Sequence, residues 1–354
     1  MYYCIANPSA RSGGRDSTLP QLLSVLKQQN IPCRLYYTEG PGHAGRLAHR
    51  IIAQADNTVQ PVNLIVAGGD GTFNEVINGI DRYDHVRFAF LPVGSGNDLA
   101  RGLDLPKDPA VLIRQIAAGK VRRHLDLGAV RFHTIADIRS RKHTAGKPGF
   151  RSRQSGKTAA EPGDSSAVHT ESSGKIASGG LTRRFVISSG IGFDAAVCEE
   201  ALSSSIKNFL NRFHLGKLSY GMIALRQILF TKKTACDIQL DDGRSLHLDK
   251  MMFSTAMNCA YEGGGYRFAP DADPSDGRMT LVSVGDIPAL KAILSFPAAH
   301  AGKYFNIREV HHFTIQKAEI HTEQPLWVHT DGEVSFQSDH ITLTCLPQKL
   351  ALLV

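Results

Sequence analysis

The chain has 354 residues, 42% of them hydrophobic, which is too long for one ordinary core and too apolar for a disordered protein. Its formal net charge is +7, but residues 139–182 alone carry eight Lys/Arg against three Asp/Glu. The basicity therefore belongs mostly to one segment and does not mark a nucleic-acid-binding fold.

The N-terminus, MYYCIANPSARSGG, lacks the charged start, apolar stretch and cleavage site of a secretory signal. It reads as a strand over 2–6 running into a polar loop over 7–16. A helix is expected over 19–29, a strand over 33–37 and a helix over 42–55. Residues 64–67 form a short, wholly apolar strand, as expected where both faces of a sheet are covered. A helix over 73–80 follows the loop GGDGT. A strand over 87–91 precedes PVGSGND and a helix from about residue 98. This alternation predicts a parallel sheet with helices on both faces.

After residue 121 the texture becomes β-rich. Strands are expected over 125–132, 185–189, 235–240, 250–258, 279–284, 310–317 and 341–345, so the second domain reads as a β-sandwich. The nucleotide-type domain then covers 1–124 and the β-rich domain 125–344, with 345–354 read as returning to the first. Residues 139–182, rich in Ser, Gly, Lys and Arg, bury too little to offset their ordering entropy and are expected to be a disordered insertion. No run of 18 apolar residues is present, so no membrane-spanning helix is expected.

The six cysteines are scattered without a C-x-x-C pair, which fits reduced thiols in a cytoplasmic protein. The 15 histidines include no H-E-x-x-H pattern, so a zinc hydrolase finds no support.

The chemistry concentrates in glycine-bearing loops. In LIVAGGDGTFNEVING, a buried strand ends at Ala67, and Gly68, Gly69 and Gly71 leave room for close approach before a helix begins. Backbone N–H groups at such a loop form a phosphate cradle. An acid there, Asp70, makes sense if it holds Mg²⁺, orients an attacking hydroxyl or accepts its proton; the alternative is a tight turn with Asp70 as a helix cap. Thr72 can cap the helix and donate to phosphate. LPVGSGNDLAR repeats the strand–loop–helix pattern, and NPSARSGG emerges at the same sheet edge, where open α/β sheets bind ligands. No G-x-x-x-x-G-K-[ST] is present, so this is not a P-loop protein.

Two acidic turns lie further on. In YRFAPDADPSDGRMTLVSV, Asp271, Asp273 and Asp276 do not have the spacing of an EF-hand. They read either as an Asp/Pro/Gly turn or as a hard-cation site built on Asp273, Asp276 and a carbonyl. WVHTDGEVSF carries Asp-Gly between alternating apolar runs, a strong hairpin signal.

Taken together, these segments resemble the diacylglycerol kinase/sphingosine kinase-like lipid kinase superfamily, most closely its soluble bacterial diacylglycerol kinase branch. The resemblance runs through NPSARSGG, YTEGPGHA, GGDGTFNEVING, LPVGSGNDLAR, LDLG, SSGIGFDAAV, GKLSYG, DPSDGRM and TDGE. It implies an N-terminal parallel-sheet, phosphofructokinase-like nucleotide-binding domain and a C-terminal β-sandwich, with ATP between them. By resemblance, Asn7, Thr38, Gly68, Gly69, Asp70, Gly71, Thr72, Glu75 and Ser95 match nucleotide-binding positions. Asp273, Asp276 and the carbonyl of Arg278 match a Mg²⁺ site. Glu333 matches a proton acceptor, with Asp70 as the other candidate base and Asp331 beside them. Ser95 stands where Thr is commoner, which keeps the hydroxyl.

The expected reaction moves the γ-phosphate of ATP to a lipid hydroxyl, with diacylglycerol as the first acceptor. The partner is a membrane lipid met by peripheral contact at the inner face; homodimer formation is admitted and nucleic acid is not. Residues 205–233 mix apolar and basic side chains and read either as a helix on the core or as a basic amphipathic surface element. The competing functions are an NAD kinase-like enzyme and a non-catalytic lipid or nucleotide sensor on the same fold.

Overall fold

A computed structural model describes residues 1–10, 17–55, 60–136, 180–203 and 216–354. The insertion expected over 139–182 lies, up to residue 179, outside the described residues, as do residues 11–16 of the first loop.

The first half contains, in order, β1 (Tyr2–Ala6), α1 (Thr18–Gln28), β2 (Cys33–Tyr37), α2 (His43–Ala55), β3 (Val62–Gly68), α3 (Asp70–Asn78), β4 (Val86–Pro92), α4 (Asp98–Gly102) and α5 (Pro109–Ala118). β1 lies between β2 and β3, and β3 lies beside β4, all parallel. β3 and β4 are almost wholly buried because helices cover them, α1 beside α5 and α2 beside α3. The α2–α3 contact depends on glycine: a β-carbon on Gly79 would stand 2.2 Å from the Gly45 carbonyl oxygen. Asp108 starts α5 by accepting the Ala110 N–H, and Gly119 ends it in the left-handed region.

The second half contains β5 (Arg123–Phe132), β6 (Thr182–Phe185), β7 (Ser188–Gly192), α6 (Phe193–Ser203), α7 (Gly216–Phe230), β8 (Thr234–Leu240), β9 (Ser245–Met251), β10 (Phe253–Met257), β11 (Met279–Val284), α8 (Ala289–Leu294), α9 (Phe296–His300), β12 (Val310–Ile315), β13 (Lys317–Thr330) and β14 (Glu333–Leu352). Two antiparallel layers enclose a core that includes Phe132, Phe185, Ile238, Leu281, Ile320 and Ile341. The hairpin β13–β14 joins them. Near one end β13 pairs with β8, and near the other with β7, with a register shift between His321 and Leu326.

The end of β14 runs into the first half. Ala351 and Leu352 pair in parallel with Arg87 and Phe88 of β4, and the Leu353 N–H donates to the Phe88 carbonyl. Leu350, Leu352 and Leu353 are buried in the N-terminal core.

Several element boundaries differ from the sequence expectation. The strand expected over 250–258 is two strands, broken at Met252. The strand expected over 185–189 is split between β6 and β7, because the intervening N–H groups donate to the Asp331 carboxylate instead of a ladder. The strand expected over 310–317 ends at Ile315, and β13 begins at Lys317. α3 begins at Asp70, not at Phe73: Gly71 lowers helix propensity, but Gly69 is extended and lets the helix start directly at the loop.

Candidate active site

The register of the parallel strands brings Ala6, Tyr37, Ala67 and Leu91 to one edge. Every loop leaving that edge therefore starts at the same level. Asn7 begins the first; its N–H donates to the Ala67 carbonyl and its Nδ2 donates to the Thr72 hydroxyl at 3.1 Å. Thr38 begins the second and donates its N–H to the Ala6 carbonyl. GGDG follows β3, and the VGSG loop follows β4.

The two glycine loops touch backbone to backbone. A β-carbon on Gly94 would lie 2.6 Å from the Gly69 α-carbon, and one on Gly68 would overlap the Thr72 side chain. No side chain separates them, so the two loops form one continuous backbone surface at the sheet edge. Ser95 is exposed at the tip of the second loop. Asn97 turns the chain there with φ 54° and donates to the Gly94 carbonyl.

Asp70 is tied to the second loop. Its carboxylate accepts the Asp98 N–H at 2.9 Å and the Leu99 N–H at 3.2 Å. Burial raises its carboxyl to about 6, against the lowering effect of those bonds, with Asp98 and Asp331 as further raising charges. Glu75 faces the other way. Its two oxygens accept the Gly42 and Ala44 N–H groups at 2.7 and 3.1 Å, so it braces the loop that opens α2.

The sandwich contributes the opposite wall. Asp331 and Gly332 turn the β13–β14 hairpin with φ 52° and 81°, the left-handed pair that a tight two-residue turn requires. The Asp331 carboxylate accepts the Val186, Ile187 and Ser188 N–H groups and the Asn74 side-chain amide, the last at 2.8 Å. Burial raises its carboxyl above the ordinary carboxylate value, while those donors pull it back. This latch sets Glu333 against Gly71, where a β-carbon would meet Glu333 Oε1 at 2.5 Å. A groove of about 1040 Å³ runs from Glu333 between α2 and α3, with Arg46, Arg50 and Arg183 on its walls.

Behind the hairpin, His329 is fully buried. Its Nδ1 accepts the Gly332 N–H at 3.2 Å, and its Nε2 faces Asp194 at 3.2 Å and Glu262 at 3.3 Å. Accepting that N–H places the imidazole proton on Nε2, toward the two acids. Burial raises the Glu262 carboxyl to about 7, against the pull of His329.

Asp273 and Asp276 are exposed on one turn, where Asp273 accepts from Ser275 and Asp276 accepts the Arg278 N–H. Burial, then Asp273 and Asp126, raise the Asp276 carboxyl, opposed by the Arg278 N–H. Two carboxylates and the Arg278 carbonyl are hard oxygen donors of the kind Mg²⁺ takes, and a divalent cation would relieve their crowding, so the residues fit that ion. Among the described residues, no third carboxylate closes on the pair at metal-ligand distance.

Two acids were not among the sequence candidates. Asp126, fully buried, accepts the Gly277 N–H at 2.6 Å and the Gln348 N–H at 2.8 Å, and so anchors the acidic turn. Its signal was an acid inside the apolar strand LDLG. Asp98 accepts the Gly264 N–H at 2.7 Å and pairs with Arg101. Its signal was its place at the start of the helix after the second glycine loop.

Comparison with known proteins agrees with this geometry. Residues 1–130 match the diacylglycerol kinase catalytic domain, and residues 187–354 match the YegS C-terminal NAD kinase beta sandwich-like domain. YtlR of Bacillus subtilis is 27% identical over 340 residues, covering 94% of this chain and 93% of its own. A diacylglycerol kinase of the same organism is 21% identical over 330 residues, covering 93% and 88%. A solved structure of a diacylglycerol kinase from Bacillus anthracis shares the fold with a TM-score of 0.61 at 16% identity, covering 99% of this chain and 96% of that one. A parallel-sheet domain whose glycine loops face a β-sandwich is the two-domain arrangement that the two matched family models describe. The chain belongs to the diacylglycerol kinase-like lipid kinase family and is by that membership an ATP-dependent lipid kinase.

Proposed function

We propose that the chain transfers the γ-phosphate of ATP to the hydroxyl of a membrane lipid, diacylglycerol first, giving phosphatidic acid. The observation that carries this reading is the contact of the Glu333 carboxylate with Gly71 of the phosphate loop. A proton acceptor belongs where the phosphate cradle meets the lipid-binding half, and Glu333 is at that place.

The residues divide the work. Asn7, Thr38, Thr72 and Ser95 surround the glycine loops, whose N–H groups hold the phosphates. Asp70, fixed by the start of α4, orients that end of the cradle. Glu333 takes the hydroxyl proton, a step that typically contributes about 10²–10⁴-fold. Asp331 positions the hairpin and stays out of the proton transfer, because its oxygens are engaged by four donors. Asp273, Asp276 and the Arg278 carbonyl would hold Mg²⁺, which when bound supplies charge neutralisation for the triphosphate.

Access to the lipid fits α7. Ile223 and Ile228 are buried against the protein, while Met222, Leu225, Leu229 and Phe230 are exposed, with Leu290 and Leu294 exposed on the neighbouring α8. No described helix is long and apolar enough to cross a membrane. The exposed apolar face of α7 and α8, with exposed Lys232 beside it and with Lys233 and Lys291 paired to Asp286 and Glu309, supports peripheral contact with a lipid surface at the cytoplasmic face.

The test is radiolabelled ATP offered with diacylglycerol, a sphingoid base, a prenol, phosphatidylglycerol and NAD in mixed micelles. Labelled phosphatidic acid, reduced about a hundredfold or more in Glu333→Gln, is the expected result. Label on another acceptor moves the substrate assignment, and wild-type turnover in the variant removes Glu333 from the reaction.

A further inference from the structure

Far along the sequence from the glycine loops, three histidines form a row on the outer face of the sandwich. His321 lies directly opposite His340 in the β13–β14 ladder, and the N–H of His133, the residue after β5, donates to the His340 carbonyl at 3.0 Å. The rings stack: His133 on His340 with centroids 3.9 Å apart, and His340 on His321 at 3.7 Å. They point outward because Phe132, Ile320 and Ile341, their chain neighbours, fill the core.

Glu319 completes the group. Its Oε1 meets Nε2 of His340 at 2.7 Å and Nε2 of His321 at 3.2 Å. Nε2 of His133 meets the Thr342 hydroxyl at 2.8 Å, and Thr342 stands opposite both Glu319 and Arg131. One ligand atom each from His133, Glu319 and His340 lie within 4.8 Å of one another.

We propose that His133, Glu319 and His340 form a second metal site, for a borderline transition-metal ion with Zn²⁺ foremost, separate from the hard-oxygen site at Asp273 and Asp276. Two imidazoles and a carboxylate suit Zn²⁺, Ni²⁺ or Cu²⁺ and do not suit Mg²⁺. Tetrahedral bonds of about 2 Å put ligand atoms about 3.3 Å apart, so the three groups need only small side-chain movements to close on an ion. The movement has a defined sense. Stacked rings send their lone pairs out side by side, so an ion would splay His133 away from His340. His321, with about half of its side chain exposed, is next in the row as a fourth donor, with water as the other choice.

The surroundings set the conditions for binding. Burial, then His340 and Arg131, lower the His133 imidazole below its usual value. The Glu319 carboxyl lies below its ordinary value through its bonds to His340 and His321. Arg131 of β5 opposes an incoming ion, whereas Glu319 favours it. A bound ion would staple the β13–β14 hairpin to the end of β5, which lies far earlier in the chain.

The test uses the full-length protein stripped with EDTA and dialysed. Zn²⁺ is titrated calorimetrically at pH 7.5 with Mg²⁺ in excess, and Co²⁺ is titrated with visible absorption as a second readout. The expected result is one equivalent of Zn²⁺, with affinity lowered at least about tenfold in His340→Ala and again in His133→Ala, each melting like wild type. Co²⁺ should give the intense visible bands of a low-coordinate nitrogen-containing site in wild type and not in His340→Ala. Absence of Zn²⁺ binding by wild type overturns the proposal. So does binding that both substitutions leave unchanged, because the ion is then held by other residues.

Discussion

The Glu333 carboxylate lies against the α-carbon of Gly71, close enough that a β-carbon there would stand 2.5 Å from Oε1. Gly71 sits in the first turn of α3, where alanine is the better helix former by about 1 kcal/mol. The displaced atom is the end of a flexible side chain, so Gly71→Ala is expected to fold normally and melt no lower than wild type. Its lipid phosphorylation should nevertheless fall by about a hundredfold, the loss of a positioned base. Thermal melting and initial rates check both parts; a variant as active as wild type would show that Glu333 has no fixed place against the loop.

The hairpin that carries Glu333 is held by Asp331. Asp331→Asn keeps a residue well suited to the left-handed turn before Gly332, so the backbone is undisturbed. What changes is the acceptor: an amide can no longer satisfy Val186, Ile187, Ser188 and Asn74 together. The expected cost is about 2 kcal/mol in urea unfolding, with lower turnover and little change in KM for ATP. Asn74→Ala in the same background should then cost less than it does in wild type, since its partner is already impaired. Additive effects would show that the pair is not coupled.

How much of this was legible in the sequence follows from how local each feature is. GGDG and GSG announce themselves because glycine, strand and helix start lie within a few residues, and all four parallel strands were placed to within a residue or two. The bond of Asp126 to Gly277 and Gln348 spans 151 and 222 residues, which no local pattern encodes. β6 and β7 were read as one strand because Val186 and Ile187 are apolar; their break is caused by Asp331, some 145 residues away. The row His133–His340–His321 was invisible for the same reason, since it exists only once three strands are in register. Glu75 was placed with the nucleotide contacts on its motif, and the structure shows both its oxygens on backbone N–H groups at the start of α2.

Asp70 gives a prediction with a sign. Its carboxyl stands at about 6 in the folded protein against 3.8 for the free side chain, with burial as the main cause. A carboxyl raised on folding contributes stability below pH 3.8 and loses it as pH rises through about 6. At pH 7 the charged Asp70 therefore destabilises the fold, and Asp70→Asn should stabilise the ATP-free protein by about 1–2 kcal/mol after allowance for its partial exposure. At pH 5, where the unfolded side chain is already ionised but the folded one is mostly protonated, about half of that advantage should remain, and below pH 3.8 it should vanish. Melting curves at the two pH values decide it; an equal gap at both would mean that the charge of Asp70 is not the cause. Activity in Asp70→Asn should be lost at either pH.

His329 supports Glu333 from behind, and removing it should expose what it balances. Its imidazole lies fully buried between Asp194 and Glu262, with its other nitrogen on the Gly332 N–H. His329→Leu keeps the volume roughly constant but removes the Nε2–H donor from two acids and the acceptor of the Gly332 N–H, a loss of about 2 kcal/mol. The sign of a second substitution separates hydrogen bonding to the acids from packing. In the wild-type background Glu262→Gln removes a partner of His329 and is expected to be neutral or destabilising. In the His329→Leu background the same change removes an unpaired acid and should restore part of the lost stability. Denaturant unfolding of the four proteins gives the coupling energy directly. If Glu262→Gln has the same effect in both backgrounds, His329 acts through packing alone, and the hairpin is held by Asp331 without it.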